Sequence, residues 1–215
     1  MGITDPLALR KKTAAQYGSG FDQVLDKLAR KEKTSKSAYL GQFYSMKNLR
    51  LGLLASGGKD SWYAAQVMHQ QNYEISCLLC IKSTNPSSYM FHTPNIDLVE
   101  VQAEASGIPL VCQETTGEKE RELDDLKKAL QQAQEMYHIE GLVSGALFSN
   151  YQRERIDQIA EECGLKVFAP LWHKDQEQEL RELLAEGFEV VVSSIAAEGL
   201  DASWLGKVLT EEDVA

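Results

Sequence analysis

Residues 56 to 61 read Ser56-Gly57-Gly58-Lys59-Asp60-Ser61, between the apolar run Leu49-Arg50-Leu51-Gly52-Leu53-Leu54-Ala55 and an amphipathic segment that opens at Trp62. A short apolar run followed by two glycines and then an amphipathic stretch reads as a buried strand turning into a helix. That junction constrains the fold, because backbone amides converge there and the helix dipole favours negative charge at the same point. Adjacent glycines let the backbone come close to an anion. The chain is therefore expected to hold phosphate and to use a nucleotide.

The spacing narrows the kind of nucleotide site. The mononucleotide loop requires Gly-x-x-x-x-Gly-Lys followed by Ser or Thr; here Leu53 stands five before Gly58, and Asp60 follows Lys59. The dinucleotide fingerprint is absent too, since Gly57 and Gly58 are adjacent and no third glycine opens the helix. The string that remains resembles the PP-loop of the ATP pyrophosphatase superfamily, whose members cleave ATP between the α and β phosphates. The residue types suit that chemistry, in which negative charge gathers on the β and γ phosphates as pyrophosphate departs. The amides of residues 57 to 61 supply fixed partial positive charge, Lys59 a full one, and Ser56 and Ser61 hydroxyl donors. Asp60, a carboxylate beside phosphates, is expected to bind Mg²⁺ directly or through water. The plainer alternative, a surface turn with solvated charges, sits poorly with the junction's place at the head of a long α/β pattern.

From residue 49 onward that pattern reads as strand 49–55, helix 61–71, strand 75–81, helix 95–105, strand 109–112 and helix 118–137. Strand 141–146, helix 151–162, strand 166–169, helix 175–186 and strand 188–194 follow. Helix 118–137 shows the spacing best, with Leu123, Leu126, Leu130 and Ala133 on one face and charges opposite. Strands separated by helices imply an α/β fold, a doubly wound and mostly parallel sheet with helices on both faces. Ligands bind such sheets outside the carboxyl ends of the strands. That rule gathers the 56–61 turn, the 83–93 loop and the 144–151 turn around one crevice.

The first 45 residues differ from the rest, carrying eight Lys or Arg against four Asp or Glu, whereas the remainder carries 14 against 28. Residues 1–45 are read as an N-terminal appendage and residues 46–215 as the nucleotide-binding domain, with Met46 marking an alternative start or the end of a grafted extension. With 215 residues, 43% hydrophobic, the chain can bury one full core. No apolar run approaches the ~20 residues of a membrane span, and no signal-peptide core stands near Met1, so a cytoplasmic protein is expected. A formal charge of −10 argues against non-specific nucleic-acid binding. Cys77-Leu78-Leu79-Cys80 has metal-like spacing, but residues three apart on a strand point to opposite faces, so the thiols are expected to be structural. Cys112 and Cys163 are read the same way.

Beyond the loop, several strings resemble the diphthine–ammonia ligase family. They include Ser88-Tyr89-Met90-Phe91-His92-Thr93, Gly107-Ile108-Pro109-Leu110 and Gly117-Glu118-Lys119-Glu120. More telling are Gly141-Leu142-Val143-Ser144-Gly145-Ala146 leading to Tyr151-Gln152-Arg153-Glu154-Arg155, then Leu171-Trp172, Gly199-Leu200-Asp201 and Trp204-Leu205-Gly206-Lys207. The series runs in order from about Met46 to Leu209. The resemblance implies an ATP-dependent ligase that adenylates the carboxylate of diphthine, a modified histidine on translation elongation factor 2, and amidates it with ammonia. It implies that Ser144, Gly145, Tyr151 and Gln152 face the nucleotide. Arg153 or Arg155 would grip phosphate through a planar fork, the alternative being solvent-facing charge on the helix. Tyr89, His92 and Glu198 are expected on the acceptor side, and Trp172 and Trp204 in packing roles. Members of that family continue past the Trp-Leu-Gly-Lys segment into a Gly-Glu-Gly-Gly-Glu-type motif, whereas this sequence ends at Ala215. The alternatives are therefore a nucleotide-binding protein without full ligase activity, or a ligase for a different carboxylate.

Overall fold

The computed structural model describes residues 49–85, 88, 90–91, 95–195 and 199–214. The apolar run becomes β1 (Arg50–Leu54), and α1 (Lys59–Gln70) follows after a four-residue turn. Then come β2 (Glu74–Ser83), α2 (Leu98–Ser106), β3 (Leu110–Thr115), α3 (Arg121–Tyr137), β4 (Gly141–Val143), α4 (Asn150–Glu162), β5 (Lys166–Phe168) and α5 (Gln176–Ala185). Two short 3₁₀ turns, Ala202–Trp204 and Glu211–Val214, complete the order.

The strands form one sheet in the order β3-β2-β1-β4-β5, and every pairing is parallel. The chain moves from β1 outward through β2 to β3, then returns to place β4 on the other side of β1. Right-handed crossovers put α1 and α2 on one face of the sheet and α3 and α4 on the other. The order reverses between β1 and β4, and in such sheets the crevice beyond the strand ends at that point is the ligand site. Both flanking turns, 55–58 and 144–149, open there.

Packing follows the periodicities. On β2, Cys77, Leu79 and Ile81 join Leu123, Leu126 and Leu130 of α3 and Ile156 and Ile159 of α4 in one core. Leu78 and Cys80 are equally buried and point to the opposite face. The α3 stripe lies where the spacing puts it, with Ala129 and Ala133 also buried. The helix starts at Arg121 rather than 118, because Glu120 at φ +73° departs from helical backbone. Residues 50–215 form one compact unit, and residues 1–45 lie outside the described residues. Among those described, no helix is long and apolar enough to cross a membrane.

Two expectations are corrected. Residues 188–194 do not extend the sheet: Val191 makes a single antiparallel bridge with Val208, and Val192 N–H donates to the Lys207 carbonyl at 3.0 Å. This segment folds back on residues 206–209 as a narrow ribbon, leaving Val191 and Val208 about half exposed. An apolar run of that length is equally compatible with a sheet strand and with one arm of a ribbon, and only the partner decides. Cys112 is exposed instead of packed, beside the buried Cys80 of the neighbouring strand.

Candidate nucleotide site

β1 is the central strand, and Leu51 and Leu53 have no exposed surface. At its end Ala55 N–H still donates to the Leu79 carbonyl at 2.9 Å. The chain then turns through Gly57 at φ +77°, a conformation that favours glycine. The Gly57 carbonyl accepts from Gln102 Nε2 of α2 at 3.1 Å, and Gln102 Oε1 accepts from Trp62 Nε1 of α1 at 2.9 Å. Gln102 thus ties the turn to both helices on that face.

α1 begins at Lys59, so Lys59, Asp60 and Ser61 form its first helical turn. Gly58 is the N-cap, and no side chain caps this end. Ser149 and Asp175 cap α4 and α5 by accepting from the N–H groups of Gln152 and Gln178, whereas α2 and α3 are uncapped like α1, so what sets α1 apart is its place at the end of the central strand. An uncapped N-terminus leaves backbone donors for an outside anion. Ser61 is buried, and its hydroxyl donates to the Gly58 carbonyl at 2.9 Å, where it fastens the turn.

The end of β4 faces this turn. Ser144 is buried and donates its N–H to the Phe168 carbonyl at 2.9 Å, while its Oγ accepts from Ala146 N–H at 3.3 Å. Gly145 comes directly against α1: a Cβ there would lie 2.7 Å from the Asp60 carbonyl and the Ser61 nitrogen. Backbone meets backbone, with no room for a side chain.

The charge at the turn is concentrated on Lys59, whose Nζ lies between the Asp60 carboxylate and Glu179 Oε2, the latter at 2.9 Å. Burial pulls the Lys59 pKa down, but the two carboxylates outweigh it and hold the ammonium above its ordinary value. Glu179 has no exposed surface, and burial, joined by the nearby Asp60 carboxylate, pushes its carboxyl up against the opposing effect of Lys59. Sequence reasoning missed Glu179, because α5 carries Glu177, Glu179 and Glu182 and residue type does not distinguish them. The available signal was position: Glu179 lies one turn from the fully buried Leu183. α5 is held on α1 by a second contact, from the Tyr63 hydroxyl to Glu182, which also pairs with Lys174 at 2.6 Å.

The remaining candidates divide. Gln152 Nε2 donates to the Met90 carbonyl at 2.9 Å, fastening the loop after β2 to α4. Arg155 lies over the Tyr151 ring at 3.6 Å and pairs with Glu120 at 3.3 Å. Arg153 stacks on Trp172 at 4.4 Å and pairs with Asp157 at 3.5 Å. Among the described residues, neither Gln152 nor Arg153 hydrogen-bonds or ion-pairs with residues 56–61. Trp172 therefore packs a guanidinium, as Trp204 packs the Lys207 ammonium at 4.3 Å. Tyr89, His92 and Glu198 lie outside the described residues.

Among the described residues no three His, Cys, Asp or Glu side chains converge as a metal cage. Asp60 and Glu179 nevertheless flank Lys59 at the first turn of α1. Asp60, whose side chain is partly exposed, fits Mg²⁺, which takes one or two carboxylates and completes its shell with phosphate oxygens and water, whereas the fully buried Glu179 is left to Lys59.

Comparison with known proteins matches residues 49–167 to the family described as diphthamide synthase N-terminal domain. The chain is 32% identical to a diphthine–ammonia ligase of Rattus norvegicus over 182 residues, which span 76% of this chain and 68% of the rat protein. The proteins of the same name from Mus musculus and Homo sapiens are 31% and 30% identical, with the same coverage. The family match takes in residues 56–61, Gly145 and α4, and ends before Glu179.

Proposed function

This chain belongs to the diphthamide synthase family, and from that premise we propose that it is an ATP-dependent ligase that amidates the carboxylate of diphthine on translation elongation factor 2. The observation that carries the reading is the uncapped first turn of α1, with Lys59 at its mouth and Gly145 holding its backbone in place.

A carboxylate is a poor electrophile, and the reaction divides one hard step into two easier ones. The acceptor carboxylate oxygen attacks the α-phosphorus, and the bond to the β-phosphate oxygen breaks. Pyrophosphate leaves with the electron pair. Ammonia then attacks the acyl carbon of the mixed anhydride, AMP departs, and the surplus proton passes to water. The protein's part in the first step is electrostatic: the amides of the α1 turn and the Lys59 ammonium face charge that grows as pyrophosphate separates. Mg²⁺, held through Asp60 and the phosphates, would add positive charge to the same leaving group. Gln102 and Gly145 hold the turn from opposite sides, so the donors need no rearrangement when the charge develops.

The test is product analysis with Mg·ATP, ammonium and diphthine-bearing elongation factor 2. AMP and pyrophosphate in equal amounts, with the mass change of an amide on the factor, are expected. ADP and phosphate would overturn the mechanism, and AMP without modification of the factor would overturn the acceptor.

A further inference from the structure

Glu179 is an acidic group placed where water cannot reach it. It has no exposed surface; Oε2 meets Lys59 at 2.9 Å, and Oε1 is buried without a hydrogen-bond partner. A buried carboxylate in this condition contributes little to stability, and an apolar residue of similar volume often does as well or better. Its presence is better explained by what it does to its partner. Lys59 is a point charge on a flexible four-carbon stem, and its side chain is one-third exposed. Asp60, its neighbour in sequence, moves with the same turn, whereas Glu179 reaches it from α5, which the Tyr63–Glu182 contact independently fixes to α1.

We propose that Glu179 is a positioning residue, whose buried carboxylate holds the Lys59 ammonium beside the first turn of α1 so that it is already oriented when pyrophosphate leaves. The proposal rests on the ligase reading above and adds to it a residue outside the matched family segment. It carries a distinctive kinetic sign. A negative charge near the triphosphate repels it, so Glu179 does not improve nucleotide binding. Its benefit appears only as the leaving-group charge develops.

Glu179→Gln should therefore lower kcat by about tenfold, the order expected when a catalytic charge is modestly misplaced, while KM for ATP stays level or falls. If the Gln variant does not fold, Glu179→Met provides the same neutralisation at similar volume. In Lys59→Ala, which leaves the Glu179 carboxylate buried and unpaired, adding Glu179→Gln should cost no further turnover and should raise the melting temperature. A raised KM with unchanged kcat, unchanged values of both, or losses that multiply in the double variant would each overturn the positioning role. Absence of AMP release by the wild-type protein would instead overturn the ligase reading, and the proposal with it. A further fall in melting temperature in the double variant, with normal wild-type AMP release, would overturn the pairing alone.

Discussion

A Cβ on Gly145 would lie 2.7 Å from both the carbonyl carbon and the oxygen of Asp60, so the turn after β4 touches the first turn of α1 with no side chain between. The contact exists because β1 and β4 are neighbours in the sheet although α1, α2 and α3 separate them in sequence. Gly145→Ala has to displace backbone rather than a flexible side-chain end. We expect a stability loss of about 1–3 kcal/mol, the usual cost of overpacking, and at least a tenfold loss of Mg·ATP affinity by calorimetry. Unchanged affinity in the folded variant would show that the contact does not shape the nucleotide site.

Lys59→Ala removes the full charge at the turn. By comparison with other preorganised electrostatic donors, turnover measured as AMP release should fall on the order of 10²-fold or more. An unaltered rate would remove Lys59 from the chemistry.

The thiols offer a check on the sheet. Burial pushes Cys77 and Cys80 up to about 12, so at pH 8 both stay in the unreactive thiol form. Cys112 is exposed and Cys163 half-buried. Iodoacetamide at pH 8 should label Cys112 first and Cys163 next, and should reach Cys77 and Cys80 only after unfolding. Early labelling of the Cys77–Cys80 pair, or stoichiometric zinc in the purified protein, would mean that the two do not face opposite sides of β2.

The charge balance reverses near Met46, and the family match begins at residue 49. A chain starting at Met46 is accordingly expected to fold and to bind Mg·ATP as tightly as residues 1–215. Insolubility, or a tenfold weaker affinity, would make the first 45 residues part of the nucleotide domain.

What could be read directly was local or periodic. The strand-to-helix turn at residues 56 to 61 was legible because adjacent glycines between an apolar run and an amphipathic stretch mark where the backbone must turn. The α3 stripe through Leu123, Leu126 and Leu130, and the opposed faces of Cys77 and Cys80, were legible because burial imposes its period on the chain. The run at 188–194 was misread as a sheet strand because an apolar stretch does not name its partner, which proved to be residues 206–209.

Tertiary structure alone decided the relationships across the site. Gly145 looks like any turn glycine until strand order places β4 beside β1 and its Cα against Asp60. Glu179 is one of several acids on α5 until Tyr63 and Glu182 fix that helix on α1, burying this carboxylate against Lys59 while Glu177 stays in water. The turn's donors are set by a few consecutive residues. Which charge is shut in beside them depends on how distant helices pack, and nothing in the local sequence carries that geometry.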